Sequence, residues 1–421
     1  MEVVFLTLFL GVATTGQQPV QVQVPLATAA VVFRLDDQDV AALTGPPWSA
    51  RIDFGEALVP HELQAKAFDA EGKLLATARQ AVNMPHPLAE AYLAVETTPN
   101  GRRVARLRWT SAVAAKPREV RLTFDGRSLF VADPSAFVLP RFEAGTAHIL
   151  RAELDFGSNV TAMAEALVGS GERDYASAEL TAVPVVPSGD RKRLDPADLE
   201  NALVARGKTL KVVAVEEGPA DIVFVVDPGA EQVLDEWTSY HSRSRFWLDR
   251  EVLFYFVFPA PSTYVETRFE IFPCIGPLNR SNGGLLDTYW RERNLHTQRD
   301  PEYLPGAAQI SGVWAVMNSR RRAAVWILGP NRSVSDRSLK NVRGFVRALN
   351  VPLLVWRVFP KDEPVEVAEG ETPVSTRSQL TRAIDSLESL VKRQRLVWVE
   401  GRHLPQTIDV SVAATGIAVA R

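Results

Sequence analysis

The run Asp221-Ile-Val-Phe-Val-Val-Asp227-Pro-Gly-Ala-Glu231 constrains the fold more than any other stretch of this chain. Five consecutive apolar residues between two aspartates leave no solvated face, so they predict a strand buried on both sides, as in a parallel sheet covered by helices. Asp227 and the Pro-Gly pair then make a tight turn into a helix, whose first turn tolerates proline because its N–H has no intrahelical partner there. Apolar runs at 210–215, 222–226, 252–258, 264–272, 323–328, 352–358 and 396–399 have helical periodicity between several of them, notably at 338–349 and 375–393. The pattern predicts an α/β doubly wound domain over residues 188–421, with a C-terminal extension. Seven of the nine tryptophans lie in this part, which places the main core there.

The first half carries a different grammar. Pro60-His61-Glu-Leu-Gln-Ala65-Lys-Ala-Phe-Asp69 and Ala147-His148-Ile-Leu-Arg-Ala152-Glu-Leu-Asp155 are each followed by a glycine-containing turn and a second alternating run. A strand ending in acidic turn residues precedes each, at Leu35-Asp36-Asp37 and at Phe124-Asp125-Gly126. The same β-hairpin is written twice, with a spacing that suits tandem immunoglobulin-like β-sandwich modules at 18–86 and 87–187. Val104-Ala-Arg-Leu-Arg-Trp109 alternates with Ala105, Leu107 and Trp109 on one face. The proline-rich, then basic stretch Val183-Pro-Val-Val-Pro-Ser-Gly-Asp-Arg-Lys-Arg193 is expected to be the linker that closes the β half.

At 421 residues the chain suits two to four domains, and a net charge of -3 argues against nucleic acid as a partner. The apolar run Val3-Val-Phe-Leu-Thr-Leu-Phe-Leu-Gly-Val-Ala13 has the length of a signal-peptide core, so residues 1–17 are expected to be a leader and the protein exported, periplasmic or secreted. A positive n-region is absent, and a first core strand is the other reading. No other stretch is long and apolar enough to span a bilayer. Cys274 is the single cysteine, which excludes an intrachain disulfide, and its apolar surroundings suit a buried thiol. His61 and His148 occupy equivalent repeat positions and are expected to support a turn. The triplet Arg320-Arg-Arg322 is expected to be the solvated start of a strand. We find no nucleophile elbow, phosphate-cradling loop or zinc helix.

The strand 221–227, the block Arg320-Arg-Arg-Ala-Ala-Val-Trp-Ile-Leu-Gly329, the unit Val342-Arg-Gly-Phe-Val-Arg-Ala-Leu-Asn-Val-Pro-Leu-Leu-Val-Trp356 and the late Val397-Trp-Val-Glu-Gly401-Arg-His-Leu-Pro405 together resemble the VWFA-related domain proteins of environmental bacteria. In that family β-sandwich modules precede a von Willebrand factor A-like domain. The resemblance implies a crevice at the strand ends and a binding role. It also implies an adhesion metal site of the Asp-x-Ser-x-Ser kind, because Mg²⁺ takes hard oxygen ligands in near-octahedral geometry. The first aspartate falls on Asp227, but the two serine positions fall on Gly229 and Glu231. The threonine loop falls near Gly283-Gly284-Leu285, with Thr288 a weak substitute, and the last aspartate is replaced by Gly329-Pro330, with Asp336 further on. Asp227, Glu231 and Asp336 are therefore the candidate metal ligands of a site expected to be degenerate. The expected function is a non-catalytic exported scaffolding or binding protein with a protein partner and no cofactor. Mg- or Ca-dependent adhesion, and hydrolysis of a cell-surface polymer, are the alternatives.

Overall fold

The computed structural model describes residues 3–9, 14–84, 89–97, 102–111, 114–142, 148–157, 161–169, 180–188, 194, 196–237, 248–249, 252–261, 263–265, 268–270, 272–293, 299–331, 334–363, 365–412, 414 and 416–421. These fall into two compact units, 1–86 with 404–406, and 87–403 with 407–421.

The first unit is a β-sandwich. Strands Val4–Phe5, Gln17–Gln23 and Ser49–Asp53 make one sheet, and Gln38–Leu43, Ala30–Leu35, His61–Phe68 and Leu74–Val82 make the other. Alternation decides what is inside: Val20, Val22 and Ile52 from one sheet meet Val31, Phe33 and Leu63 from the other in a single core. The leader-like run contributes to that core. Val3, Phe5 and Phe9 are buried, and Phe9 sits edge-on to Phe54 at 5.2 Å.

A second sandwich opens the second unit. Strands Ala136–Val138, Arg103–Ser111 and Ala89–Thr97 face Arg127–Leu129, Glu119–Phe124, His148–Asp155 and Thr161–Val168. Ala105 and Leu107 point into its core, while Trp109 packs against the rim half-buried. The two sandwiches repeat one device. Asp36 and Asp125 sit in left-handed backbone, at φ 51 and 49°, a conformation that aspartate tolerates. Each carboxylate accepts one backbone N–H, from Glu62 at 2.9 Å and from Ile149 at 3.0 Å, and pairs with His61 or His148 Nδ1 at 2.7 Å. The two histidines thus pin the turn after one strand to the start of another, the role that their equivalent positions suggest.

Beyond residue 188 the central element is a six-stranded sheet in the order Cys274–Leu278, Val252–Val257, Ala220–Val226, Arg321–Leu328, Leu353–Val358, Glu371–Val374. Five strands run parallel and the Cys274–Leu278 edge is antiparallel. Counted along the chain, this spatial order is third, second, first, fourth, fifth, sixth. The strand order therefore reverses between Ala220–Val226 and Arg321–Leu328, the place where open α/β sheets form a crevice at their carboxyl ends. All seven residues of Ala220–Val226 are buried, because helices cover both faces. Ile222, Phe224, Val226, Val325 and Ile327 pack with α1 (Pro228–Trp237), α2 (Leu285–Arg293) and α5 (Arg377–Arg393). On the opposite face α3 (Leu304–Val316) lies on the central strands and against α4 (Asp336–Ala348). Gly312 of α3 permits that approach: a Cβ there would lie 3.0 Å from Val346.

Several expectations change. The start of the expected linker, residues 183–187, belongs to Leu180–Pro187, a strand of a second antiparallel sheet between Arg395–Glu400 and Ile417–Val419, with Val212–Glu216 on the far side; residues 189–193 of the linker lie outside the described residues. The runs at 210–215 and 396–399 thus leave the central sheet. Their apolar character comes from packing on both faces: Val213, Leu396 and Trp398 meet Ile149 of the second sandwich, and Leu210, Val397 and Val399 join Leu199, Leu203 and Ile408 in a separate core. The run at 264–272 is a small hairpin, Thr263–Val265 with Arg268–Glu270. The arginine triplet is not solvated: Arg320, Arg321 and Arg322 are 7, 6 and 3% exposed. Arg320 pairs with Asp221 at 3.1 Å and Glu153 at 2.8 Å. Arg321 donates to the carbonyls of Gly218 and Val391, and Arg322 to those of Asn350 and Leu349. The last two guanidiniums thus serve carbonyls at the C-terminal ends of α5 and α4, where the helix dipole favours a cation. Burial lowers the Arg322 pKa to about 10, with the Asp221 charge working against the shift.

Candidate functional site

The carboxyl ends of the first and fourth strands of the sheet, Ala220–Val226 and Arg321–Leu328, are where a ligand is expected, and Asp227 lies there, 1% exposed. Its backbone N–H donates to Ile327 at 2.8 Å, and its carbonyl accepts from Ala230 at 2.8 Å to open α1. Its side chain faces the crevice. Oδ1 accepts the Gly229 N–H at 2.8 Å and Oδ2 accepts the Gly329 N–H at 3.0 Å. The carboxylate therefore caps its own turn and ties the loop after the first strand to the loop after the fourth. The second loop needs glycine for this, and the first is tight at its own glycine. A Cβ on Gly329 would stand 2.5 Å from the carbonyl carbon of Gly229, and one on Gly229 would stand 3.3 Å from Asp227 Oδ1. The two backbones touch beside the Asp227 carboxylate.

Glu231 turns away from this pair. Its Oε1 accepts from the Tyr289 hydroxyl at 2.5 Å and from Arg299, and its Oε2 accepts from Arg293 at 2.8 Å. It fastens α1 to α2. Arg293 also lies over the Trp290 ring, 3.6 Å from its centroid. Burial pushes the Tyr289 hydroxyl well above its ordinary value, and the Asp227 charge adds to this while Arg293 opposes it. Burial also lowers Arg299. Asp336 is exposed in the first turn of α4, behind the N-cap Ser335, whose hydroxyl accepts the Ser338 N–H at 3.2 Å. A carboxylate in that turn suits the helix dipole. Thr288 is fully buried within α2, its N–H donating to Gly284.

On the other flank a lone charge in an apolar strand, Arg357, makes a bidentate pair with Glu371 at 2.7 and 3.0 Å and donates to the Gly329 carbonyl at 2.9 Å. Burial raises Glu371, but hydrogen bonding to and the charge of Arg357, with the Ala368 amide and Arg343, outweigh it and hold the carboxyl below its ordinary range. Among the described residues no three His, Cys, Asp or Glu side chains are grouped to hold a metal ion. The donors fit a divalent cation poorly: Asp227 accepts amides through both oxygens, Gly229 offers none, and Glu231 answers two arginines and a tyrosine. The sequence reading singled out Asp227 and Glu231 but missed Tyr289, Arg293, Arg299, Arg357 and Glu371. Of these, Arg357 alone carried a local signal, its charge inside Leu353-Leu-Val-Trp-Arg-Val.

No family model matches the chain, and no curated protein matches it. Among solved structures it is similar to fibronectin(III)-like modules of Clostridium thermocellum CbhA, at 15% identity and TM-score 0.17 over 19% of this chain and 92% of that one. It is also similar to a central fibronectin-III array of RIM-binding protein, at 9% identity and TM-score 0.23 over 47% and 81%. An FMN-binding β-glucuronidase from Facaelibacterium prausnitzii L2-6 aligns at 10% identity and TM-score 0.17 over 83% of this chain and 57% of that one. Likenesses this shallow assign the chain to no family.

Proposed function

We propose that this chain is a non-catalytic, exported protein-binding or scaffolding protein: two immunoglobulin-like sandwiches followed by a von Willebrand factor A-like domain whose adhesion site has been converted into a structural joint. The observation that carries the reading is the crevice between the first and fourth strands of the sheet, Ala220–Val226 and Arg321–Leu328. There Asp227 accepts from Gly229 and Gly329, and Glu231 answers Tyr289, Arg293 and Arg299. The third-second-first-fourth-fifth-sixth strand order with one antiparallel edge supports the A-like reading. Export is the expectation carried by the leader-like run, although Val3, Phe5 and Phe9 pack within the first core. Among the described residues no helix is long and apolar enough to cross a membrane.

The experiment is cross-linking of the tagged full chain in its native envelope fraction, followed by mass spectrometry with residue-level assignment. The reading expects one partner, recovered in repeated trials through reproducible surface positions. Recovery of no specific partner would count against it, and turnover of an envelope polymer by the purified chain would replace it with the hydrolase alternative.

A further inference from the structure

Where the second sandwich meets the strand Val212–Glu216, one guanidinium serves two carboxylates. Arg151 and Glu165 face each other in the register of His148–Asp155 with Thr161–Val168. Arg151 Nε donates to Glu165 at 2.9 Å, and its Nη2 donates to Glu216 at 2.5 Å. The side chains of Arg151, Glu165 and Glu216 are 7, 11 and 15% exposed, and the guanidinium lies 5.3 Å from the centroid of the Trp398 ring. Glu153, two residues along the same strand, is paired with Arg320. One cation between two shielded carboxylates leaves a negative charge in a poorly hydrated place, and burial of such a charge favours uptake of a proton.

We propose that Glu165 holds a proton that completes this joint, making the contact between the second sandwich and the Val212–Glu216 strand a pH-controlled latch. The charged groups acting on Glu165 are Arg151 and Glu153 from the adjacent strand and Glu216 from across the joint. Burial pushes Glu165 up to about 8, Glu216 and Glu153 add to the shift, and Arg151 pulls against it. The folded value thus stands above the 4.5 of a free glutamate. The stabilisation is whole below that free value and is lost as pH rises through about 8. Inside the window, opening releases a proton, so the opening equilibrium constant grows about tenfold per pH unit.

The test is hydrogen exchange of the strands around residues 148–168 in the full chain, wild type against Glu165→Gln at matched pH from about 5 to about 9.5. Glutamine has the shape of the protonated acid. Both proteins should be equally protected near the acid end. The wild type should then fall behind by about tenfold per pH unit until the proton has left. Parallel profiles, with the variant less protected at every pH, would overturn the proposal, because they indicate an ionised Glu165 paired with Arg151. Should the variant fail to fold, the infrared spectrum of the wild type decides. A protonated-carboxyl band present near neutrality and gone at about pH 9.5 supports the latch, and its absence near neutrality refutes it.

Discussion

Arg320→Ala should destabilise the second unit by about 3–5 kcal/mol, the cost of removing one partner from a buried ion pair. Asp221 is 0% exposed, and Arg320 brings it a full positive charge at 3.1 Å. Asp221 also accepts from the Asn318 amide at 2.8 Å, which cannot neutralise a carboxylate. Glu153 of the second sandwich loses its 2.8 Å partner in the same step. The substitution therefore strikes the sheet and its seam with the sandwich together. Urea unfolding, followed by tryptophan fluorescence, reads the loss as a shift of midpoint at constant slope. A change below about 1 kcal/mol would mean that water reaches Asp221 and that the pair behaves as a surface bridge.

Asp227→Ala should cost about 1–3 kcal/mol. Its carboxylate accepts from two backbone N–H groups; Gly229 is exposed, so water can replace the carboxylate there, but the Gly329 donor is buried, and leaving it unsatisfied costs about 1–3 kcal/mol. The loops after the first and fourth strands would lose the side chain that joins them, so hydrogen exchange at Gly329 should rise with the fall in stability. Asp227→Asn separates charge from shape. Its amide group sets a donor against one of the two backbone donors, so it should recover only part of the loss. A variant as stable as the wild type would show that the two loops hold together without the carboxylate.

How much of this was legible in the sequence depends on the range of the interaction. The buried strand ending at Asp227 is written locally, since five apolar residues between two acids admit few other readings. So is the repeated hairpin, because His61 and His148 recur at matching positions and make matching contacts with Asp36 and Asp125. Strand partnership was not legible. Residues 183–187 read as the start of a proline-rich connector, yet the strand Leu180–Pro187 pairs with Arg395–Glu400, and nothing within either segment names the other. The arginine triplet failed for a related reason. Charge predicts solvent exposure unless partners are supplied, and these partners are Asp221, Glu153 and carbonyls at the ends of α4 and α5, far along the chain. Helix α3 was missed because its small and apolar residues, Leu-Pro-Gly-Ala-Ala-Gln-Ile-Ser-Gly-Val-Trp-Ala-Val, leave no polar face to mark a period. At the candidate site the missing hydroxyls could be seen, but not the direction in which Glu231 points. That direction depends on Tyr289, Arg293 and Arg299, each more than fifty residues away.

The central claim is that the switch-point crevice is filled by the chain's own groups. Its most direct test is calorimetric titration of the full chain with Mg²⁺, Mn²⁺ and Ca²⁺ at millimolar concentration, beside thermal unfolding in the same solutions. The account expects no saturable heat and an unfolding temperature that does not move with metal. Saturable binding that raises the unfolding temperature in the wild type and vanishes in Asp227→Ala would contradict it.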